Sequence, residues 1–392
     1  MKLLKLLFIT LTLSSCSLFL SKDNTFKVVH WNIKELETKK VDKDNAQFKA
    51  VESILNSLEF NILNINEIQF DKMYVPNYRY RTTGQNAQTF LQLLGKDPME
   101  HAISFYEANT GKNARKTKGS YETQLTRQTR GKADQDNFGL YPGQYSSAVL
   151  SSYPIKEELI ITDLRWRDFN KDIKLSKFRR DNGEKLPKNI QLFDKGFSDI
   201  VIEVNDKEVH FISLHTVPSY HFGNRKSPNY ERNRDQLRFL EWYLTGGTDI
   251  PVNLPKKFQH IRPLPKDAIY IATGDWNASI EDNHPGSIVL RRLFKNTNLW
   301  IDKPGHTHEQ QHFGKDRLKL TLDYMVYQNL KVIDAGIYYP DETSGVCIKA
   351  KDIPREFKPR KEKLDESACI SEKSIELKRA SDHFPIWAVF KI

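Results

Sequence analysis

The chain has 392 residues, 39% of them hydrophobic, enough to bury a large core in one large domain or two ordinary ones. Its formal charge of +10 favours anionic partners: nucleic acid, phosphorylated small molecules or an anionic membrane face. That balance excludes nothing about fold, which has to be read from the elements in turn.

Lys2 and Lys5 precede a short apolar run, Leu6 to Leu13, too short for a typical membrane-spanning helix. Small residues then lead to a cysteine in Leu13-Ser14-Ser15-Cys16, which looks like a bacterial lipoprotein lipobox. The reading is a signal peptide over 1–15, lipidation at Cys16 and a tether over 16–25. Ser17 favours outer-membrane sorting, so the expected location is the cell envelope, with the membrane reached through a lipid anchor. An ordinary secretory signal is the alternative.

Phe26 to Ile33 reads as a first strand with Asn32 near its end. Val51, Ile54, Leu55 and Leu58 follow helical spacing. Phe60 to Glu67 is a second strand that ends in a carboxylate, so strand, helix and strand make an α/β unit. Residues 71–145 show little periodicity, and the basic stretch Gly111–Lys132 within them reads as an anion-facing lip or a solvated loop. Ser147–Ser151 is a strand, and 156–196 is a second charged excursion. Ile200–Val204 and Val209–Leu214 form a hairpin around Asn205-Asp206, ending at His215. Arg232–Leu244 is a helix with Leu237, Leu240 and Leu244 on one face. Ala268–Thr273 is a strand leading to Gly274-Asp275-Trp276-Asn277, and Leu322-Asp323-Tyr324-Met325-Val326 begins another. The last strand, Ile386–Phe390, follows Ser381-Asp382-His383-Phe384-Pro385. No fixed-period repeat appears, and the strands form one continuing pattern. The chain from 26 to 392 is therefore one domain with loop insertions at about 76–145 and 156–196.

Asn32, Glu67, His215, Asp275, Asn277, Asp323, Asp382 and His383 each lie at or beside a strand end, where a sheet edge gathers such groups into one crevice. Carboxylates and amides are hard oxygen donors suited to Mg²⁺, Mn²⁺ or Ca²⁺, and imidazoles transfer protons or bind phosphate oxygens. Asp275 and Asn277 are two apart and point the same way on extended backbone. Cys347 and Cys369 form an even pair, a candidate disulfide in an exported protein, with free thiols as the alternative; they cannot make a tetrahedral zinc site without further ligands. His306, His308 and His312 are a rival transition-metal cluster or an ordinary polar loop.

The order WNI, NINE, SLH, GDWN, LDYM and SDHFP resembles the endonuclease/exonuclease/phosphatase superfamily, the fold of deoxyribonuclease I, from about Phe26 to Ile392. FYEANTG and FGLYPGQYSSAVLSSYPI resemble a secreted bacterial subgroup, although Val217 stands between His215-Thr216 and Pro218, where that subgroup has proline directly. The resemblance implies an α/β, four-layer sandwich of two sheets and metal-dependent hydrolysis of phosphate esters. It implies Glu67 as the principal Mg²⁺ ligand (Mn²⁺ and Ca²⁺ being the alternatives), helped by Asp382 and Asn32. Asp275 then positions or deprotonates water, Asn277 and His215 bind phosphate oxygens, and the His383–Asp323 pair handles a proton. Glu107 is a candidate to orient His215. The leading reading is a phosphodiesterase or nuclease. Its alternatives are a phosphomonoesterase, a sphingomyelinase or phospholipase C, and a silent binding lipoprotein. An anionic phosphate-ester substrate, nucleic acid included, is the expected partner, and no protein partner is predicted.

Overall fold

The computed structural model describes residues 24–180, 182–219, 226–311, 318–339, 346–358, 364 and 369–392. Cys16, the expected signal and His312 lie outside them. Two six-stranded mixed sheets pack face to face. The first runs, in spatial order, Lys331–Ile337, Ile386–Lys391, Thr25–Leu36, Ile62–Ile68, Ser146–Ser151 and Ala102–Tyr106. The second runs Ile155–Ile161, Phe197–Val204, Lys207–Leu214, Tyr270–Asp275, Asp323–Gln328 and Asn298–Leu299. Phe26, Val28, Ile62, Ile386 and Phe390 of the first sheet share a core with Ile200, Ile212, Ile271 and Met325 of the second. Val29, Trp31, Leu63 and Ile65 point the opposite way, onto the helices Ala46–Leu58, Asn86–Leu93 and Glu372–Ala380. Helices Pro228–Thr245 and Pro285–Asn296 cover the second sheet. The result is the expected two-sheet α/β sandwich, and strand alternation explains its sidedness.

Local chemistry sets the element limits. Asn45 caps the first helix, its side-chain oxygen accepting from the Gln47 and Phe48 amides. Ser227 and Pro228 start the long helix and Gly246, left-handed at φ 73°, ends it. The hairpin turns on Asn205 and Asp206, both at positive φ, as a two-residue turn between twisted strands requires.

Residues 71–145 hold more structure than their sequence pattern suggests. The helix Asn86–Leu93 is only two turns long, and its buried face includes the polar Asn86, which donates to Gln69 O (2.7 Å) and Thr38 Oγ1 (2.9 Å). Ile155–Ile161 carries Lys156, Glu157 and Glu158 because it is an edge strand, where charge blocks further pairing. The charged excursion that follows buries Trp166, Phe169 and Phe178. Cys347 and Cys369 are joined as a disulfide with Cα atoms 5.4 Å apart, beside a small satellite core of Ala350, Ile353, Phe357 and Ile375.

Candidate active site

Both sheets deliver polar strand ends to one edge. Asp275, the last residue of its strand, pairs directly with Asp323, the first of the neighbouring antiparallel strand. On the other sheet Asn32 pairs with Asn66, and the register slips just beyond, so that Glu67 bulges out of the ladder at φ 69°. Lys34, Glu35, Tyr145 and Asn277 are also left-handed, so this edge gathers conformations that side chains other than glycine seldom adopt. Gly274 is required by a close approach, since a Cβ there would come within 1.9 Å of the Leu214 carbonyl oxygen next to His215.

Asp275 Oδ2 is the meeting point. Asn32 Nδ2 donates to it at 3.0 Å, His215 Nε2 lies 3.5 Å away and His383 Nε2 3.8 Å away. The Asp275 amide donates to Asn66 Oδ1 (3.0 Å), and Asp275 Oδ1 accepts from the Asn277 amide (3.0 Å). Burial pushes this carboxyl above its usual range, against the pull of His383.

His383 is oriented from behind. Its Nδ1 donates to Asp323 Oδ2 at 2.7 Å, which leaves Nε2 facing Asp275. Asp323 Oδ1 accepts from His30 Nε2 (3.1 Å), His30 Nδ1 accepts from Asn64 Nδ2 (2.9 Å), and Asn64 Oδ1 accepts from Ser213 Oγ (2.8 Å). This buried chain crosses from one sheet to the other. Thr307 Oγ1 accepts from the Leu322 and Asp323 amides, both at 2.9 Å. Burial opposes the Asp323 charge, but His383 and His30 outweigh it and hold this carboxyl well below the usual range. Burial likewise opposes an imidazolium at His383, yet Asp323 and Asp275 hold His383 well above its ordinary value. His30, Asn64, Ser213 and Thr307 were not singled out from sequence. His30 lies inside the first strand, and only the facing sheet shows its role beside Asp323.

Glu67 is crowded by like charge. Burial, then Glu35 and Asp382, push it up to about 7. Its Oε2 accepts from the Glu35 amide (3.0 Å) and its Oε1 from Asn32 Nδ2 (3.2 Å). Asp382 pairs with Lys34 Nζ at 2.8 Å, and despite burial Lys34 and His383 keep it below its usual value. Asn32 does not present the oxygen expected of a metal ligand. Its Nδ2 faces Glu67 and Asp275, while its Oδ1 accepts from the Lys34 amide (3.0 Å), so it positions two carboxylates.

His215 is buried and, through burial first and Lys195 second, held well below its ordinary value. Glu107 does not orient it: that carboxylate bonds Lys72 Nζ at 2.8 and 2.9 Å. Instead Asn233, on the long helix, donates to Thr216 Oγ1 (2.9 Å), Val217 O (2.8 Å) and Trp276 O (3.0 Å), tying the His215 loop to the GDWN turn. Asn277 Nδ2 donates to Thr216 O (3.1 Å). Val217 is buried in this joint, its amide donating to Gln236 Oε1 (2.8 Å).

A cavity of about 420 Å³ opens above these groups. Glu67, His215, Asp275, Asn277, Asp382 and His383 form its floor, and Arg130, Phe138, Arg179, Arg180 and Lys195 are among the residues of its walls. The expected basic lip is therefore narrower than Gly111–Lys132. Of that stretch Arg130 reaches the cavity together with Leu125, while Lys112 Nζ turns to Asn109 Oδ1 and Arg115 to the Gly131 carbonyl. The second excursion supplies Arg179 and Arg180, which the sequence pattern did not distinguish from its other charges. Arg232 fastens both insertions to the long helix, donating to Leu192 O (3.1 Å), Asp136 O (2.9 Å), Gln191 O (2.7 Å) and Asn137 Oδ1 (2.7 Å). The rival histidine cluster does not stand apart. His308 lies against His383 with ring centres 4.7 Å apart, whereas His306 Nε2 faces Glu309 at 3.5 Å.

No protein-family model matches the chain, and no curated protein matches its sequence. Solved structures do. An endonuclease/exonuclease/phosphatase from Beutenbergia cavernae DSM 12333 superposes at TM-score 0.51 and 11% identity, over 94% of this chain and 72% of that one. A protein of the same named family from Leptotrichia buccalis C-1013-b gives 0.48 at 12% identity, over 93% and 98%. The beta toxin of Staphylococcus aureus gives 0.44 at 17% identity, over 93% and 99%. Through the first of these, and through its own two stacked sheets, the chain is shown to carry the fold of the endonuclease/exonuclease/phosphatase superfamily.

Proposed function

We propose that the chain hydrolyses phosphate esters, as a phosphodiesterase that depends on a divalent cation. The observation that carries this reading is the convergence of Asn32, His215 and His383 on the single oxygen Asp275 Oδ2, beneath a cavity with arginines in its wall. That arrangement suits a water held by a carboxylate next to a bound phosphoryl group.

The donors fit a hard cation. Glu67 and Asp382 offer carboxylate oxygens, and the burial and like-charge crowding that together lift Glu67 to about 7 are what a bound cation offsets. When bound, Mg²⁺ or a similar ion supplies positive charge against the phosphoryl oxygens as they gain charge. Asn32 fixes the directions of Glu67 and Asp275. Asp275 orients the water, and its raised affinity for protons suits it to accept one. His383, held by Asp323, places Nε2 3.8 Å from the same oxygen, a lone pair when the ring is neutral and an N–H when it is an imidazolium. His215 stays neutral and donates a hydrogen bond, and Asn277 faces the cavity from the GDWN turn.

Purified protein is assayed on bis-p-nitrophenyl phosphate, p-nitrophenyl phosphate, DNA, RNA and sphingomyelin vesicles, with Mg²⁺, Mn²⁺ or EDTA. Diester cleavage that EDTA abolishes is the expected result. Inactivity on every ester with either ion overturns the proposal.

A further inference from the structure

His308 falls outside the chemistry assigned above, and its position is specific. The segment ending Thr307-His308-Glu309 pairs with the loop carrying Asp382 and His383: the Phe384 amide donates to Thr307 O (2.7 Å) and the Glu309 amide to Asp382 O (2.9 Å). This pairing sets His308 directly opposite His383. His308 Nδ1 is buried without a hydrogen-bond partner among the described residues. A buried imidazole nitrogen left in that state is costly and marks a position where a partner belongs.

One ligand atom from each of His308, Asp382 and His383 lies within 4.8 Å of the others. Ligands bound at about 2.2 Å to one ion lie up to about 4.4 Å apart, so small side-chain rotations bring the three together. We infer that His308, Asp382 and His383 form a second cation site with two imidazoles and one carboxylate, selective for a transition metal such as Co²⁺, Ni²⁺ or Zn²⁺. It shares Asp382 with the hard-oxygen position at Glu67 and differs from it by imidazole ligation, because Mg²⁺ and Ca²⁺ gain little from nitrogen donors and the first-row transition ions gain much. Lys34 is the present counter-charge of Asp382, and its half-exposed ammonium leaves to solvent when an ion arrives. Occupancy also engages the imidazole that Asp323 orients, so an ion there competes with a proton-handling role for His383.

The test reads binding and not turnover, so it stands whether or not a phosphate ester is cleaved. Co²⁺ is titrated into the purified chain by calorimetry and by visible absorption, which reports nitrogen ligation, and Mg²⁺ binding is followed in parallel by thermal shift. His308→Phe is expected to weaken Co²⁺ binding at least about tenfold, the low end of what disturbing a metal site costs, and to leave the Mg²⁺ shift in place. His308→Asn serves as a second variant if phenylalanine impairs folding, with the same expectation. Glu67→Gln should show the reverse pattern. Unchanged Co²⁺ affinity and spectrum in both His308 variants overturns the site.

Discussion

Asp323→Asn tests the buried pair at the heart of the site. Two imidazoles donate to this carboxylate, His383 Nδ1 at 2.7 Å and His30 Nε2 at 3.1 Å. Asparagine keeps the shape but offers one acceptor oxygen, so one imidazole must face an NH₂ group and turn or change tautomer. The charge is lost as well. Unit charges about 4 Å apart attract by about 4 kcal/mol at an effective dielectric of about 20. If catalysis forms or uses the His383 imidazolium, losing that term costs about a thousandfold in kcat. The same loss lowers the proton affinity of His383, since the carboxylate favours the charged ring. The assay is the initial rate on a chromogenic phosphodiester, with the His383 ring followed by NMR across pH and folding checked by circular dichroism. A folded variant whose kcat stays within about tenfold of wild type, with His383 titrating as before, refutes the reasoning. His383→Ala combined with Asp323→Asn should cost little more than the worse single change, because the pair acts as a unit.

Glu67 has a raised proton affinity in the folded chain, from 4.5 to about 7, so it favours folding below pH 4.5 and that contribution is lost as pH rises to about 7. Mg²⁺ should therefore raise Tm strongly at pH 7.5 and little at pH 5, and Glu67→Gln should remove most of that shift and cut activity at least about 100-fold; an equal shift at both pH values contradicts this. Replacing Arg130 and Arg179 by alanine should weaken binding of a polyanion and flatten its salt dependence while sparing a small diester, checked by cleavage of DNA and of bis-p-nitrophenyl phosphate from low to moderate salt. If salt leaves both rates unchanged, the arginines do not read a polyanion. Envelope anchoring through Cys16 is a further hypothesis, resting on Leu13-Ser14-Ser15-Cys16; palmitate should label wild type and not Cys16→Ser, and an unlabelled wild type removes it.

Strand ends were legible because they combine two signals, an apolar run and a polar residue that opens or closes it. Glu67, Asp275, Asp323 and Asp382 stand out in this way, and the structure gathers them at one edge. His30 was hidden because it sits inside a strand, where a histidine looks like any inward residue until the facing sheet is known. Asn233 and Gln236 were hidden in a helix for the same reason, since their partners lie on loops far away in sequence. The amide orientation of Asn32 depends on two carboxylates and a backbone N–H that no spacing reveals. Arg130, Arg179 and Arg180 were indistinguishable from the many other basic residues of their loops, because which charge faces the cavity is decided by how the insertions fold back.

The first sheet is built from both ends of the described chain. Thr25–Leu36 has Ile62–Ile68 on one side, and its other side is filled by Ile386–Lys391, more than three hundred residues later. Everything from Ile155 to Gln328 that forms the second sheet is made in between. Asp382 and His383 are positioned by that closing strand and by the Trp31 indole, which donates to His383 O at 2.9 Å. A growing polypeptide thus cannot assemble this edge before residues 382–391 have been made, and clipping ahead of Asp382 leaves Thr25–Leu36 without its antiparallel neighbour and the cavity without two of the groups on its floor.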